Sequence, residues 1–469
     1  MTNYVTKGVS LKWPRYIAVT LLFSSLLLTI GLATAQGVPQ TPPAATATIP
    51  ATYTPQVDVP PPDPDFSTPV PLGPGSRYYS EWPQLVAERD GSLSIVWDWG
   101  ERDRLLYIHS TDQGRTWTPA ITVAGNDAWG GAVGNQTLAA DSQGKLHLGS
   151  WELYGSTYPH VAYRRRNAAG VWQPGLIAPD SITYRMKGIA VGVDPFQSLA
   201  LALVGKGAHS LGLFATDGAK WTGAAALPLT DTSYPNPTWL PAVAVSARDK
   251  LLVVWGDHRL GQYNLWSAYT KPQIGYDTTA SWNTYAFTDT YSGGGWVSGD
   301  RQYSVRLLPL QDGSIGAAYE GRDPDSSAKD IYYREWNPAR YGSTYGGWQQ
   351  YAVRLSTMPI PSEAPFLCQD GRGQRYVFWQ DYWNNLRIVY TYSADGISWH
   401  PMQRVNAGPY SREKHPQCAV SDGKLVVVWD DRLRLPNDDY AEAHLYFASR
   451  PLPDLYPPTT ATPGAKPAP

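Results

Sequence analysis

The sequence predicts an all-β fold, a seven-bladed β-propeller of four-stranded antiparallel blades. Three observations predict it. A turn dipeptide recurs along the chain, and a strand ending in a large aromatic residue follows most copies. The composition is also rich in Trp (20), Tyr (31) and Gly (43) while only 17% of residues are charged. Aromatic side chains suit a pleated, half-buried surface, and glycine serves the turns between strands.

The turns come first in each repeat. Asp90-Gly91, Gln143-Gly144, Asp312-Gly313, Asp370-Gly371 and Asp422-Gly423 each separate two apolar runs, the mark of a hairpin. Asp194-Pro195 and Asp249-Lys250 hold the same place in two weaker copies. The second strands then run from Leu93 to Trp97, Leu251 to Trp255, Ile315 to Tyr319, Tyr376 to Trp379 and Leu425 to Trp429. Leu146 to Trp151 and Leu199 to Val204 are poorer versions. Third strands carry Tyr107, Tyr163, Phe214, Trp266, Tyr332, Tyr390 and Tyr446. Fourth strands open with Trp117, Trp172, Trp221, Trp282, Trp348 and Trp399. The period is roughly 50 to 65 residues, the scale of a propeller blade.

One fourth strand is missing from that series. The segment Phe66 to Leu72 repeats the character of Trp117 to Val123, so it is predicted to pair as the outer strand of the last blade. Such pairing would close the ring and remove a sheet edge.

The two ends differ from the body. Lys7, Lys12 and Arg15 precede an apolar run from Tyr16 to Ala35 that ends in Ala33-Thr34-Ala35, so residues 1–35 read as an export signal. Residues 36–65 are a Pro/Thr-rich stalk without a core, 66–450 the propeller, and 451–469 a similar Pro/Thr tail. The expected location is secreted or extracytoplasmic, with cell-surface association left open. Membrane attachment is expected only through an uncleaved signal anchor, because the apolar run is nearly long enough to span a bilayer. Cys368 and Cys418 fall on predicted innermost strands of consecutive blades with the same side-chain parity, and an exported chain permits a disulfide between them.

Several function classes are excluded. A formal net charge of -2 leaves no basic excess for nucleic acid. The eight His residues are scattered without metal-ligand spacing, and no phosphate loop or dinucleotide fingerprint occurs, so no metal and no cofactor are expected. Asp438 and Asp439 with Glu442 are a poor match to a calcium loop. Arg164, Arg165 and Arg166 read as an exposed strand edge. A monomer is expected.

Between the third and fourth strands of the first repeat lies Ser110-Thr-Asp112-Gln-Gly114-Arg-Thr116-Trp117. Ser393-Ala-Asp395-Gly396-Ile-Ser398-Trp399 is one residue shorter, and Thr216-Asp217-Gly218 with Trp221 is a decayed copy. Asp accepts backbone N–H bonds across a tight turn, Gly permits positive φ, and Trp fills the gap between strands. These segments match the Asp-box pattern. The chain resembles the sialidase-like, Asp-box (BNR-repeat) β-propeller superfamily over nearly its whole folded body. That resemblance implies structural turns on the face away from the site, and a six-bladed ring as the alternative to seven blades. It also implies a Tyr nucleophile activated by a Glu, with an Asp acid/base. No residues are assigned to those three roles. The family's first strand opens with a Phe/Tyr-Arg-Ile-Pro motif whose Arg binds the substrate carboxylate. The matching stretch here is Ser80-Glu81-Trp82-Pro83, which puts a carboxylate in that Arg's place and argues against standard exo-sialidase chemistry.

In a propeller the entrances to the first strands and the loops between second and third strands share one face. The candidate ligand-binding residues there are Glu81, Arg185, Arg301, Tyr303, Glu363, Asp257, Arg259, Glu320, Arg322, Asp430 and Arg432. Aromatic faces stack on sugar rings, and carboxylates and guanidinium groups bond hydroxyls. The Asp257/Arg259, Glu320/Arg322 and Asp430/Arg432 pairs recur between blades, which favours loop bracing. Glu81, Arg185, Arg301 and Glu363 are each confined to one blade and favour function. The leading reading is recognition of an extracellular glycan or surface polymer. The second is a sialidase-like glycoside hydrolase, and the third an extracellular protein-interaction scaffold.

Overall fold

The computed structural model describes residues 60–101, 103–125, 133–152, 160–177, 189–194, 199–206, 210–216, 221–227, 239–246, 250–257, 264–270, 283–286, 305–321, 328–356, 360–383, 385–406, 412–434 and 440–452. The proposed export signal, most of the stalk and most of the tail lie outside them. No helix among the described residues is long and apolar enough to cross a membrane.

Strand β1 is Val70–Ser76. A first sheet follows from β2 (Tyr79–Ala87), β3 (Leu93–Gly100), β4 (Arg104–Ser110) and β5 (Ile121–Gly125). The second holds β6 (Val133–Ala140), β7 (Leu146–Glu152), β8 (His160–Arg166) and β9 (Leu176–Ile177). The third holds β10 (Ile189–Asp194), β11 (Leu199–Lys206), β12 (Ser210–Thr216) and β13 (Trp221–Leu227). The fourth holds β14 (Trp239–Ser246), β15 (Lys250–Asp257), β16 (Asn264–Thr270) and β17 (Asn283–Ala286). The fifth holds β18 (Val305–Pro309), β19 (Ile315–Gly321), β20 (Asp330–Trp336) and β21 (Val353–Arg354), with one helical turn, Pro338–Tyr341, before β21. The sixth holds β22 (Ser362–Gln369), β23 (Arg375–Trp383), β24 (Asn385–Ser393) and β25 (Gln403–Arg404). The seventh sheet has the order β26 (Lys414–Ser421), β27 (Lys424–Arg434), β28 (Tyr440–Pro451), then β1.

Every pairing within these sheets is antiparallel. The first strands β2, β6, β10, β14, β18, β22 and β26 touch one another in that order, and β26 touches β2. The architecture is therefore an all-β propeller, with the first strands lining its axis.

The core lies between neighbouring sheets, because alternate residues of each strand face opposite neighbours. Ile95 and Trp97 of β3 pack with Val426 and Val428 of the seventh sheet, whereas Val96 packs with Leu146 and Leu148 of the second. The large residues that end the second strands, Trp97, Trp255, Tyr319, Trp379 and Trp429, are all buried. Truncating one to Ala would cost about 3–5 kcal/mol.

Closure is made by β1, with Val70 opposite Phe447 and Leu72 opposite Leu445. Ordered contacts begin earlier than the expected boundary at residue 66. Arg404 donates to Pro60 O (2.7 Å) and to Pro61 O (2.9 Å), and Asp63 N donates to Arg404 O (2.9 Å). Asp63 is buried in an ion pair with Arg450, and Tyr390 Oη donates to it at 2.5 Å. Composition made 60–65 look like stalk because the partners are far away in sequence. Cys368 Sγ and Cys418 Sγ are bonded, joining β22 to β26 with Cα atoms 5.9 Å apart.

The Arg164–Arg166 run is not an exposed edge. Arg164 and Arg166 are buried, Arg164 against Glu152 of β7 and Arg166 against Glu88 and Tyr107 of the first sheet. Alternation along β8 turns these two side chains inward, each onto a carboxylate that neutralises it.

Candidate functional site

Five of the first strands share a local irregularity. The ladder skips between Glu81 and Gln84, Gly134 and Thr137, Trp239 and Ala242, Glu363 and Phe366, and Lys414 and Gln417. Four of these bulges contain a proline: Pro83, Pro241, Pro365 and Pro416. Proline has no N–H to give the ladder, so inside a sheet it belongs at a bulge. The preceding residue takes a left-handed backbone in three of them, with φ of 57° at Trp82, 54° at Ala364 and 49° at His415. For a residue other than glycine this costs about 1–3 kcal/mol.

What holds the three bulges is the same in each. The residue after the buried aromatic of the preceding sheet's second strand accepts the left-handed residue's N–H. Asp430 Oδ1 accepts from Trp82 N (3.2 Å), Glu320 Oε1 from Ala364 N (2.9 Å) and Gln380 Oε1 from His415 N (3.1 Å). Glu320 and Asp430 are thus braces to backbone amides of the next sheet. Arg432 donates to the carbonyls of Arg77 and Tyr78 ahead of the first sheet.

The braces join into a polar arc over five consecutive sheets. Three donors converge on the Glu363 carboxylate: Lys329 Nζ (2.8 Å), Tyr382 Oη (2.8 Å) and Gln380 Nε2 (3.3 Å). Lys329 also lies 3.9 Å from Glu320. Gln380 passes the arc to His415, whose Nδ1 is 2.7 Å from Asp430 Oδ1. Trp82 Nε1 donates to His415 Nε2 at 2.8 Å, and Gln136 Nε2 of the second sheet donates to Trp82 O at 2.6 Å. An indole N–H is a donor only, so His415 Nε2 accepts and the proton sits on Nδ1, which donates to Asp430. His415 is therefore a neutral imidazole with both nitrogens engaged.

Burial dominates the electrostatics. It raises Asp430 to about 7 against the pull of Lys414 and the Trp82 N–H. Asp431 is raised to about 7 by burial and then by the Glu413 carboxylate. Asp381 is also raised to about 7 by burial, although Ser362 Oγ and Trp379 Nε1 donate to it at 2.5 and 2.8 Å. Chemically, the arc offers fixed carboxylate, amide, ammonium and phenol groups around the mouth of the ring.

Among the sequence candidates, Glu320, Glu363 and Asp430 meet in this arc. Glu81 is half-buried opposite Asp98, one residue from the left-handed position, which Trp82 occupies. Arg185, Arg259, Arg301, Tyr303, Arg322 and the side chain of Asp257 lie outside the described residues. Sequence reasoning placed His415 at a first-strand entrance on this face, and missed Trp82, Gln136, Lys329, Gln380 and Tyr382 as site residues. For Trp82 the signal was the X-Pro that recurs at the same place in the repeat: Trp82-Pro83, Ala364-Pro365, His415-Pro416. No group of three or more metal-ligating side chains occurs among the described residues; Asp438 and Asp439 lie outside them.

The opposite face carries the tight turns. Asp112 Oδ1 accepts from Ser110 Oγ and Thr116 N, both at 2.8 Å, and Asp112 Oδ2 accepts from Thr116 Oγ1 at 2.6 Å. Gly114 takes φ 83° and its N donates to Ser110 Oγ (2.8 Å), while Trp117 Nε1 reaches back to Gly114 O. Ser393, Asp395 and Gly396 repeat the pattern: Asp395 accepts from Ile397 N and Ser398 N, and Trp399 packs on Tyr333. These donors, Thr116 first in one turn and Ser398 in the other, hold both Asp112 and Asp395 at about 2.

No family model matches the sequence, and no curated protein matches it. Among solved structures, the chain is similar to a protein of unknown function from Dyadobacter fermentans, with 12% identity and a TM-score of 0.48 over 83% of this chain and 100% of that one. It is similar to the GH93 α-L-arabinofuranosidase of Fusarium graminearum, with 12% identity and a TM-score of 0.46 over 82% and 98%. It is also similar to the intramolecular trans-sialidase of Ruminococcus gnavus, with 11% identity and a TM-score of 0.43 over 80% and 94% of the two chains.

Proposed function

We propose that this ring of seven sheets is exported and recognises an extracellular glycan or surface polymer at the mouth lined by its first-strand bulges. The observation that carries the reading is the arc from Lys329 through Glu363, Gln380, His415 and Asp430 to Trp82. Its polar groups are fixed in advance by partners from neighbouring sheets, which lowers the ordering cost of binding a hydroxyl-rich ligand. Carboxylates, an amide and a phenol beside an indole are the side chains that bond sugar hydroxyls and stack on sugar rings. The Asp-box resemblance supports the same reading. The test is a glycan array probed with the full chain, read for retention and for loss of terminal sugar. Retention without cleavage, weakened about tenfold or more by Glu363→Gln, is the expected result. No retention of any glycan would overturn it.

One observation favours a second reading, a glycoside hydrolase. Tyr382 Oη lies 2.8 Å from the Glu363 carboxylate, the kind of Tyr–Glu contact that the family resemblance implies for a nucleophile and its activator. The same carboxylate is already engaged by Lys329 and Gln380, which is why binding is preferred. Release of terminal sugar by the wild type, abolished in Tyr382→Phe, would reverse the preference.

A further inference from the structure

We infer that Trp82 is the stacking platform of the mouth, and that the ligand it takes presents the C–H face of a pyranose ring. This rests on the glycan reading above. The first observation is conformational. Trp82 is partly exposed and holds a left-handed backbone at φ 57°, a conformation that a bulky residue adopts only when its surroundings impose it. The bulge itself does not demand an indole, because the sixth sheet fills the same position with Ala364 at φ 54°.

The second observation is how the ring is mounted. Trp82 N is bound by Asp430, Trp82 O by Gln136 and Trp82 Nε1 by His415, so all three polar groups of the residue are fixed by side chains of the two flanking sheets. His415 also packs edge-to-face on the indole, with centroids 5.4 Å apart. A tryptophan whose N–H is consumed has no directional polar group left to offer a ligand. What such a residue can still give a ligand is a ring held at a fixed angle, a surface that suits the C–H face of a sugar ring. The neighbouring arc supplies the hydroxyl contacts, so platform and polar groups divide the recognition between them.

The experiment takes the full chain and the glycan giving the strongest signal on the array, and measures affinity by calorimetry for wild type, Trp82→Ala and Trp82→Phe. Trp82→Ala is expected to weaken binding about tenfold, and Trp82→Phe, which keeps a face and drops the N–H, to stay within about threefold. Melting curves establish that each variant is folded. A folded Trp82→Ala that binds like wild type overturns the inference. So does a loss of about tenfold or more in a folded Trp82→Phe, an outcome readable even where the alanine variant does not fold. If the wild type retains no glycan at all, the reading beneath the inference fails and the inference falls with it; if the wild type binds and the variants do not differ, only the inference fails.

Discussion

Removing the Cys368–Cys418 bond tests how much the covalent link between β22 and β26 contributes. The two residues are 50 apart in sequence. On the chain-entropy account, a closed loop of that length removes about 14 cal/mol/K from the unfolded ensemble, or about 4 kcal/mol at 25 °C. The folded body spans roughly 390 residues, which gives an unfolding entropy of about 0.8 kcal/mol/K, so the expected fall in melting temperature is about 5 °C. Both cysteines are buried, so a reductant would reach them only on unfolding. The double variant Cys368→Ala/Cys418→Ala is therefore the cleaner perturbation, and scanning calorimetry the assay. A shift below about 1 °C would refute the loop-entropy reasoning. The link also joins the strands that carry Glu363 and His415, so if the proposed glycan reading holds, affinity at the mouth should fall with the melting temperature.

Two further outcomes follow from the same structure. Asp381, Asp430 and Asp431 lie at about 7 in the folded chain against 3.8 without burial. Between about pH 4 and 7 the folded state therefore holds protons that the unfolded chain has released. Stability rises as pH falls through that window, by up to about 1.4 kcal/mol per pH unit for each group. Melting temperatures that stay flat or climb from pH 5 to 8 would sink this, and Asp381→Asn should shallow the slope. Alanine substitutions at two glycines should separate backbone strain from steric clash. Gly144 (φ +75°) has open space where a Cβ would sit, whereas at Gly125 (φ +78°) the Cβ would meet Asp103 O at 2.0 Å. Gly144→Ala should cost about 1–2 kcal/mol and Gly125→Ala clearly more, measured by denaturant unfolding; equal costs would refute the assignment.

The blade pattern was readable in the sequence because its signals are local. A turn dipeptide, an alternating strand and a terminal aromatic all lie within one repeat, and Trp97, Tyr319, Trp379 and Trp429 are buried at the register that this pattern assigns. The site was less readable because its bonds cross between repeats. Trp82 meets His415 333 residues away, and Arg450 meets Asp63 387 residues away. The same distance hid the docking of residues 60–65, where proline-rich composition said only that the segment builds no core of its own. Glu320 and Asp430 each bind a backbone amide of the next sheet, at Ala364 and Trp82, and an amide carries no side-chain signature.

The pairing of Val70 with Phe447 also constrains how such a chain can change over time. An open array of repeats can gain or lose a unit at its end and still present a finished surface. Here the last sheet is completed by a strand from before the first, so deleting or adding one unit leaves a seam whose edges no longer fit. The count of units and the curvature of every interface between them are thus fixed together. Variation in such a lineage should therefore collect in the loops around the mouth and in the segments outside the ring, with the number of repeats held constant.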